Sequence, residues 1–193
     1  SCRDGFRWSA DSKFIAYWNS NTAGTGWFNI INNVDSIYPT VQQFPYPKAG
    51  TTNSAVKVGF VDVDTQSTTW VPIPGDERNN YIPRMEFVPG TDRLMIQQMN
   101  RAQSLNTVWT VDIEDADASD LHVLCTDQDE AWVETNDNIH FLQGNKYFTF
   151  TSERDGYRHI YKVTADGKKW TCITPGNFDV VREVGIDEKR GWI

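Results

Sequence analysis

Thr151-Ser152-Glu153-Arg154-Asp155-Gly156-Tyr157-Arg158-His159-Ile160-Tyr161 reads as the bend of a β-hairpin. Asp155-Gly156 supplies the turn chemistry, because glycine tolerates the positive φ that matches a turn to the right-handed twist of its flanking strands. Before the bend, Lys146-Tyr147-Phe148-Thr149-Phe150-Thr151 is aromatic and β-favouring; after it, His159-Ile160-Tyr161-Lys162-Val163 alternates apolar and polar residues as a half-buried strand does. A second turn at Ala165-Asp166-Gly167-Lys168 leads to Trp170-Thr171-Cys172-Ile173-Thr174, and Ile139-His140-Phe141-Leu142 enters Lys146 through Gly144-Asn145. Four short strands joined by tight turns form one propeller blade.

The entry of that blade, an aromatic residue, a polar turn, a basic residue and an apolar strand, recurs. It is found at Trp8 to Tyr17, Phe87 to Ile96 and Phe141 to Phe148, and faintly at Ile186 to Trp192. The basic residues Lys13, Arg93, Lys146 and Arg190 are spaced 80, 53 and 44 residues apart. The last two intervals sit near the roughly 40 to 50 residues of a propeller blade. No helical periodicity is sustained, so the fold expected is an all-β propeller fragment of about three and a half four-stranded blades. The blades fall at roughly 1–75, 80–126 and 130–174, with the start of a next one at 178–193.

The first interval is long because residues 19–50 are inserted. The segment is rich in Asn, Gly, Thr and Pro yet carries Trp27, Phe28, Tyr38, Phe44 and Tyr46. Tyr38-Pro39 and Pro45-Tyr46-Pro47 disfavour helix, so an interaction arm is expected, extended against another surface or packed on its own blade. At the other end of the second blade, Gln97 to Ser104 reads as a polar loop, and Pro83 marks a loop or strand start.

The 193 residues carry a formal charge of −8. That acidity argues against a nucleic-acid backbone as partner. No apolar run reaches the roughly 20 residues of a membrane helix, and Ser1 and Ile193 read as cuts inside a longer protein. Cys2, Cys125 and Cys172 lack C-x-x-C spacing, so neither a zinc site nor a disulfide framework is indicated, while a single bridge stays possible.

No serine lies in G-x-S-x-G, the strand-to-helix turn that exposes a hydrolase nucleophile. His122, His140 and His159 sit in separate strand regions and read as structural. Asp62-Val63-Asp64, Asp115-Ala116-Asp117 and Asp127-Gln128-Asp129 lack the glycine and terminal glutamate of a helix-loop-helix calcium site, so neither metal nor other cofactor is expected. Two joints between blades remain. Asn100-Arg101-Ala102-Gln103 offers a guanidinium that can clamp a carboxylate or carbonyl. Glu130 to Asp137, with Trp132 and Glu134 at its centre, offers carboxylates beside an indole, suited to a cationic amine. Either joint can equally be inter-blade packing with solvated charge.

Tyr46-Pro47-Lys48-Ala49-Gly50, Asn100 to Gln103, Ala131-Trp132-Val133 and above all Thr151 to Tyr161 resemble the N-terminal β-propeller of the dipeptidyl peptidase IV family, serine peptidases of the prolyl oligopeptidase type. The resemblance covers essentially the whole chain. It implies an eight-bladed propeller that caps a C-terminal α/β-hydrolase domain, which removes dipeptides from peptide N-termini. No such catalytic domain lies within this chain, and the family's serine, aspartate and histidine would follow Ile193. Its paired glutamates, which hold the substrate's free amino group, would precede the stretch that Arg3 to Trp8 resembles. The loop after Trp132 resembles the one that approaches substrate, although Thr135-Asn136-Asp137 stands where some members have an aromatic-arginine pair.

The resemblance thus implies a substrate side at Trp132, Glu134, Asn136, Asp137 and Arg101, and a secreted or periplasmic location. It also implies that the arm can contact a partner subunit. Cys172 matches a familiar position, but Tyr161 occupies the place of its disulfide partner. The function expected is the gating and orienting of peptide substrates for the hydrolase domain. A TolB-like propeller serving as a protein-protein interaction platform is the alternative, and a sugar-binding propeller a third. Self-association is expected through the arm or the cut blade faces, with Trp8, Phe87 and Phe141 buried in their own blades.

Overall fold

The structure, a computed structural model, describes residues 5–113, 118–137 and 139–193. Cys2, Arg3 and Asp4, and with them the Asp115-Ala116-Asp117 run, lie outside the described residues. Strands β1 (Phe6–Trp8), β2 (Phe14–Asn21), β3 (Trp27–Asn32), β4 (Thr40–Pro45), β5 (Ala55–Asp62) and β6 (Thr68–Trp70) build the first third. The second contains β7 (Asn80–Phe87), β8 (Arg93–Asn100), β9 (Leu105–Asp112) and β10 (Leu121–Gln128). The third contains β11 (Phe141–Leu142), β12 (Tyr147–Ser152), β13 (His159–Thr164) and β14 (Trp170–Cys172). They form three four-stranded antiparallel sheets, β1-β2-β5-β6, β7-β8-β9-β10 and β11-β12-β13-β14, with β3-β4 as a separate hairpin. Meandering four-stranded sheets packed face to face are propeller blades, and among the described residues there is no helix.

Two cores hold the sheets together. Phe14, Val58 and Phe60 of the first sheet meet Met85, Leu94, Ile96 and Val111 of the second. Met95, Val108 and Cys125 on the opposite face of the second sheet meet Phe148, Phe150, Tyr161 and Val163 of the third. Being covered on both faces, β8 shows a continuous buried run from Leu94 to Gln97 rather than alternation.

Several boundaries differ from the sequence reading. The bend after Ser152 is a six-residue loop, 153–158, because Ser152 pairs with His159. Gly156 still takes a positive φ of 92°, closing a turn in which its N–H donates to Glu153 O at 2.8 Å. The insertion spans 22–54 and not 19–50, since Asn19, Ser20 and Asn21 pair with Lys57, Val56 and Ala55. It folds as a two-stranded hairpin, with Phe28 across from Phe44. Gln97 to Asn100 belong to β8, where main-chain pairing to β9 outweighs weak strand propensity. Pro83 lies inside β7, at a register shift between Tyr81 and Arg84 that spares the ladder the N–H proline lacks. Trp8 is half exposed instead of buried, and Phe87 and Phe141 are half-buried. Residues 178–193 contain one isolated bridge, Asp187 to Trp192.

Antiparallel meanders sort the connections by parity. Turns 9–13, 63–67, 88–92, 143–146 and 165–169 emerge at one end of the sheets. The insertion, the joints 71–79 and 129–140, the turn 101–104 and the loop 153–158 emerge at the other. Hydrogen bonds from Val56 N to Glu77 O, Arg101 N to Asn79 O and Val133 N to Gln103 O keep these latter segments together. Every candidate functional residue therefore lies at one end of the fold.

Candidate functional site

At the insertion end, the joint after β10 and the loop after β12 enclose a shallow notch lined by Asp129, Trp132, Glu134, Glu153, Arg154 and Arg158. Asp129 shapes the joint, its Oδ1 accepting the N–H groups of Ala131 at 2.7 Å and Trp132 at 3.3 Å. This is an Asx turn. The indole of Trp132 stays half exposed and its Nε1 donates to Glu134 Oε1 at 3.1 Å. A ring face beside solvated carboxylates can receive an ammonium group.

Arg154 fixes the opposite wall. Its guanidinium lies 3.4 Å from the centre of the Trp170 ring, Nε donates to Ser152 Oγ at 3.2 Å and Nη2 to Thr126 O at 3.2 Å. Buried Asp127 accepts the Ser152 hydroxyl at 2.6 Å and has Arg154 Nη2 at 3.4 Å, so the second and third sheets are tied at this end. Sequence reading did not single out Arg154. Its signal was a cation followed at strand spacing by Tyr161 and Trp170, whose rings lie under it.

Asn136 is not presented to solvent. It is buried; its Oδ1 accepts Thr151 N and Thr151 Oγ1, both at 2.6 Å, and its Nδ2 donates to Thr151 O at 3.0 Å. Its main chain is held by Gln97, which donates to Asn136 O at 2.7 Å and accepts from Asn136 N at 3.1 Å. Asp137 pairs with Arg84 at 2.7 Å on the wall of a 290 Å³ cavity between the second and third sheets. Arg101 turns to the root of the insertion, donating to Thr51 O. Trp132 and Glu134 thus line one notch, while Asn136, Asp137 and Arg101 hold the joints around it.

Arg7 pairs with Glu86 at 2.8 Å and Arg84 with Asp137 at 2.7 Å, and His140 Nε2 lies 2.9 Å from Glu183 Oε1. His159 is buried and His122 pairs with Asp120 at 2.5 Å. Cys125 and Cys172 are free thiols, and burial pushes Cys125 up to about 12, which keeps it protonated and unreactive. Among the described residues, no group of three or more His, Cys, Asp or Glu could hold a metal ion. Nor is any described helix long and apolar enough to cross a membrane.

On the inserted hairpin, Phe28, Phe44 and Tyr46 form an aromatic triangle with centroids 5.6–6.2 Å apart, and Lys48 Nζ lies 5.6 Å from the Phe28 ring. Trp27 is 70% exposed and Tyr38 81%.

The family model of the dipeptidyl peptidase IV (DPP IV) N-terminal region matches residues 1–193. The chain belongs to this family. Dipeptidyl peptidase 4 of Trichophyton rubrum is 24% identical over 195 residues, covering 96% of this chain and 25% of the relative. Inactive dipeptidyl peptidase 10 of Rattus norvegicus is 25% identical over 194 residues, covering 94% and 24%. The crystal structure of Porphyromonas gingivalis dipeptidyl peptidase 4 superposes with a TM-score of 0.86 at 30% identity, covering 95% of this chain and 26% of that one. As a DPP IV N-terminal region, the chain spans about a quarter of the length of the curated relatives it matches.

Proposed function

We propose that this DPP IV N-terminal region is the propeller portion of a dipeptidyl-peptidase-type serine exopeptidase. In this reading it gates and orients peptide N-termini for an α/β-hydrolase domain located elsewhere in the same protein, which is secreted or periplasmic. The observation that carries the reading is the notch at the loop-bearing end, where the Trp132 ring and the carboxylates of Asp129, Glu134 and Glu153, which outnumber the guanidiniums of Arg154 and Arg158 on its walls, can steer an approaching peptide ammonium. The fixed Asp127–Ser152–Arg154 network beneath it gives the rigid support that a positioning site needs.

In the full-length protein, replacing Trp132 with Ala and Glu134 with Gln should lower kcat/KM for dipeptide release on the order of tenfold, the size of one cation–aromatic contact with its charge. The melting temperature should barely move, since both side chains are exposed. Unchanged kinetics would overturn the reading.

One observation favours a second reading, a propeller that serves as an interaction platform of the TolB-like kind. The rat relative, named as inactive, matches this chain as well as the fungal peptidase does. The same scaffold then works without catalysis, and a full-length protein devoid of dipeptide release would assign the chain to that class.

A further inference from the structure

The two walls of the Trp132 notch differ in charge. The joint after β10 contributes Asp129 and Glu134 and no cation, whereas the loop after β12 contributes Arg154 and Arg158 against the single carboxylate of Glu153. Asp127, at the end of β10, is already paired with Arg154. A ligand that carries an ammonium and a carboxylate a few bonds apart therefore meets a complementary charge on each side.

The two guanidiniums are not equivalent. Arg154 is committed to the Trp170 ring, Ser152 Oγ, Thr126 O and Asp127. Arg158 is half-buried, and its guanidinium has no hydrogen-bond or ion-pair partner among the described residues. Its main chain is held on both sides: the N–H donates to Asp179 Oδ1 at 2.8 Å, the carbonyl accepts from Val180 N–H at 2.8 Å, and the next residue, His159, is buried. A cation fixed at its root and unpaired at its tip is pre-organised for a carboxylate, which a guanidinium takes in a two-pronged contact.

We infer that Arg158 is a specificity-determining residue that selects peptides whose first residue is acidic. In an N-terminal aspartate or glutamate the amine and the side-chain carboxylate belong to one residue, so both reach the same shallow notch. The ammonium turns to Trp132 and Glu134, and the carboxylate to Arg158. An acidic residue later in the peptide is carried about 3.8 Å further with each position and loses that coincidence. The inference rests on the ammonium-steering reading proposed above and adds a side-chain preference to it.

The test compares kcat/KM of the full-length protein for Glu-Ala-p-nitroanilide and Met-Ala-p-nitroanilide, which match in side-chain length and leaving group. Wild type should favour the glutamate substrate at least tenfold, the size of one charge-assisted contact. In Arg158→Gln the ratio should fall to about one, and Arg158→Lys, which keeps the charge but not the fork, should lie between. Because each ratio is taken within one preparation, a partly folded variant still reports it. Failure of ammonium steering shows as unchanged rates when Trp132 and Glu134 are replaced, whereas failure here shows as an unchanged ratio. If the full-length protein releases no dipeptide, calorimetry with Glu-Ala-amide and Met-Ala-amide gives the same ratio as relative affinity. A wild-type ratio near one, or a preference that survives in Arg158→Gln, would overturn the proposal in either measurement.

Discussion

Asn136 completes the edge of β12: its carboxamide accepts the N–H and hydroxyl of Thr151 at 2.6 Å and donates back to the Thr151 carbonyl at 3.0 Å. One side chain thereby stands in for a paired strand at the place where β11 has already ended. Asn136→Ala leaves a main-chain donor and acceptor unpaired, each worth about 1–3 kcal/mol. A loss of about 3 kcal/mol, seen as a fall of roughly 6–12 °C in melting temperature, is expected. Asp137→Ala removes a solvated pair with Arg84 and an exposed hydrogen bond from the Thr135 hydroxyl at 3.1 Å, and should cost about 1 kcal/mol. Equal melting temperatures for wild type and Asn136→Ala would contradict the clamp.

His140 and Glu183 predict a pH dependence. The Glu183 side chain is 2% exposed, with His140 Nε2 at 2.9 Å. Burial pushes the carboxyl above its ordinary value of 4.5, while His140 and the Thr149 hydroxyl pull the other way without cancelling it. A carboxyl raised in the folded state binds its proton more tightly there than in the unfolded chain. Its contribution to stability is therefore full below pH 4.5 and is lost as pH rises through the folded-state value. Glu183→Gln, neutral at every pH, should flatten the stability profile above pH 4.5 and raise stability near neutrality relative to wild type. Parallel profiles for the two proteins, followed by chemical denaturation, would contradict this.

The sheets were legible because alternation at His159 to Val163 and turn residues such as Gly156 and Gly167 are local signals. The same holds for the repeated aromatic-turn-basic entry, since each unit sits within one hairpin. Gln97 was not legible as a strand residue. What buries it is Asn106 nine residues away and Asn136 thirty-nine away, partners that only the packed sheets supply. Trp132 and Glu134 could be picked out together because their pairing is two residues apart, whereas Asn136 looked like a neighbouring loop amide until Thr151 folded against it.

Tyr161 and Cys172 stand directly opposite each other in the β13–β14 ladder. Facing residues in an antiparallel pair have Cα atoms about 4.5–5.5 Å apart, inside the range a disulfide spans. Tyr161→Cys should therefore oxidise to a bridge with Cys172. The variant gives up the Tyr161 hydroxyl bond to Asp155 at 2.6 Å and its edge-on contact with Trp170. Removal of that much buried side chain costs about 3 kcal/mol, similar to what closing a short loop returns. The reduced variant should thus melt well below the oxidised one, with the oxidised one near wild type. Alkylation of Cys172 as rapid in oxidised Tyr161→Cys as in wild type would show that the bridge does not form.

The inserted hairpin predicts association. An isolated two-stranded ribbon is at best marginally stable in water, yet one face of this one carries Trp27, Ile31 and Val41, at 70%, 59% and 58% exposure, with Ile31 directly across from Val41. Its other face carries the Phe28, Phe44 and Tyr46 triangle, whose rings pack on one another. An apolar stripe next to a rigid aromatic support is the composition of an interface core. A second copy of the chain is a suitable occupant, because a two-fold contact would set the same stripe against itself. Sedimentation of the full-length protein across a concentration series should show a reversible dimer. Ile31→Lys with Val41→Lys should raise its dissociation constant at least a hundredfold, since four like charges would meet across the two-fold. The triangle, untouched by these changes, should keep the hairpin folded and the melting temperature of the monomer unchanged. A wild-type monomer at every concentration, or a dimer indifferent to the paired lysines, would remove the hairpin from the interface.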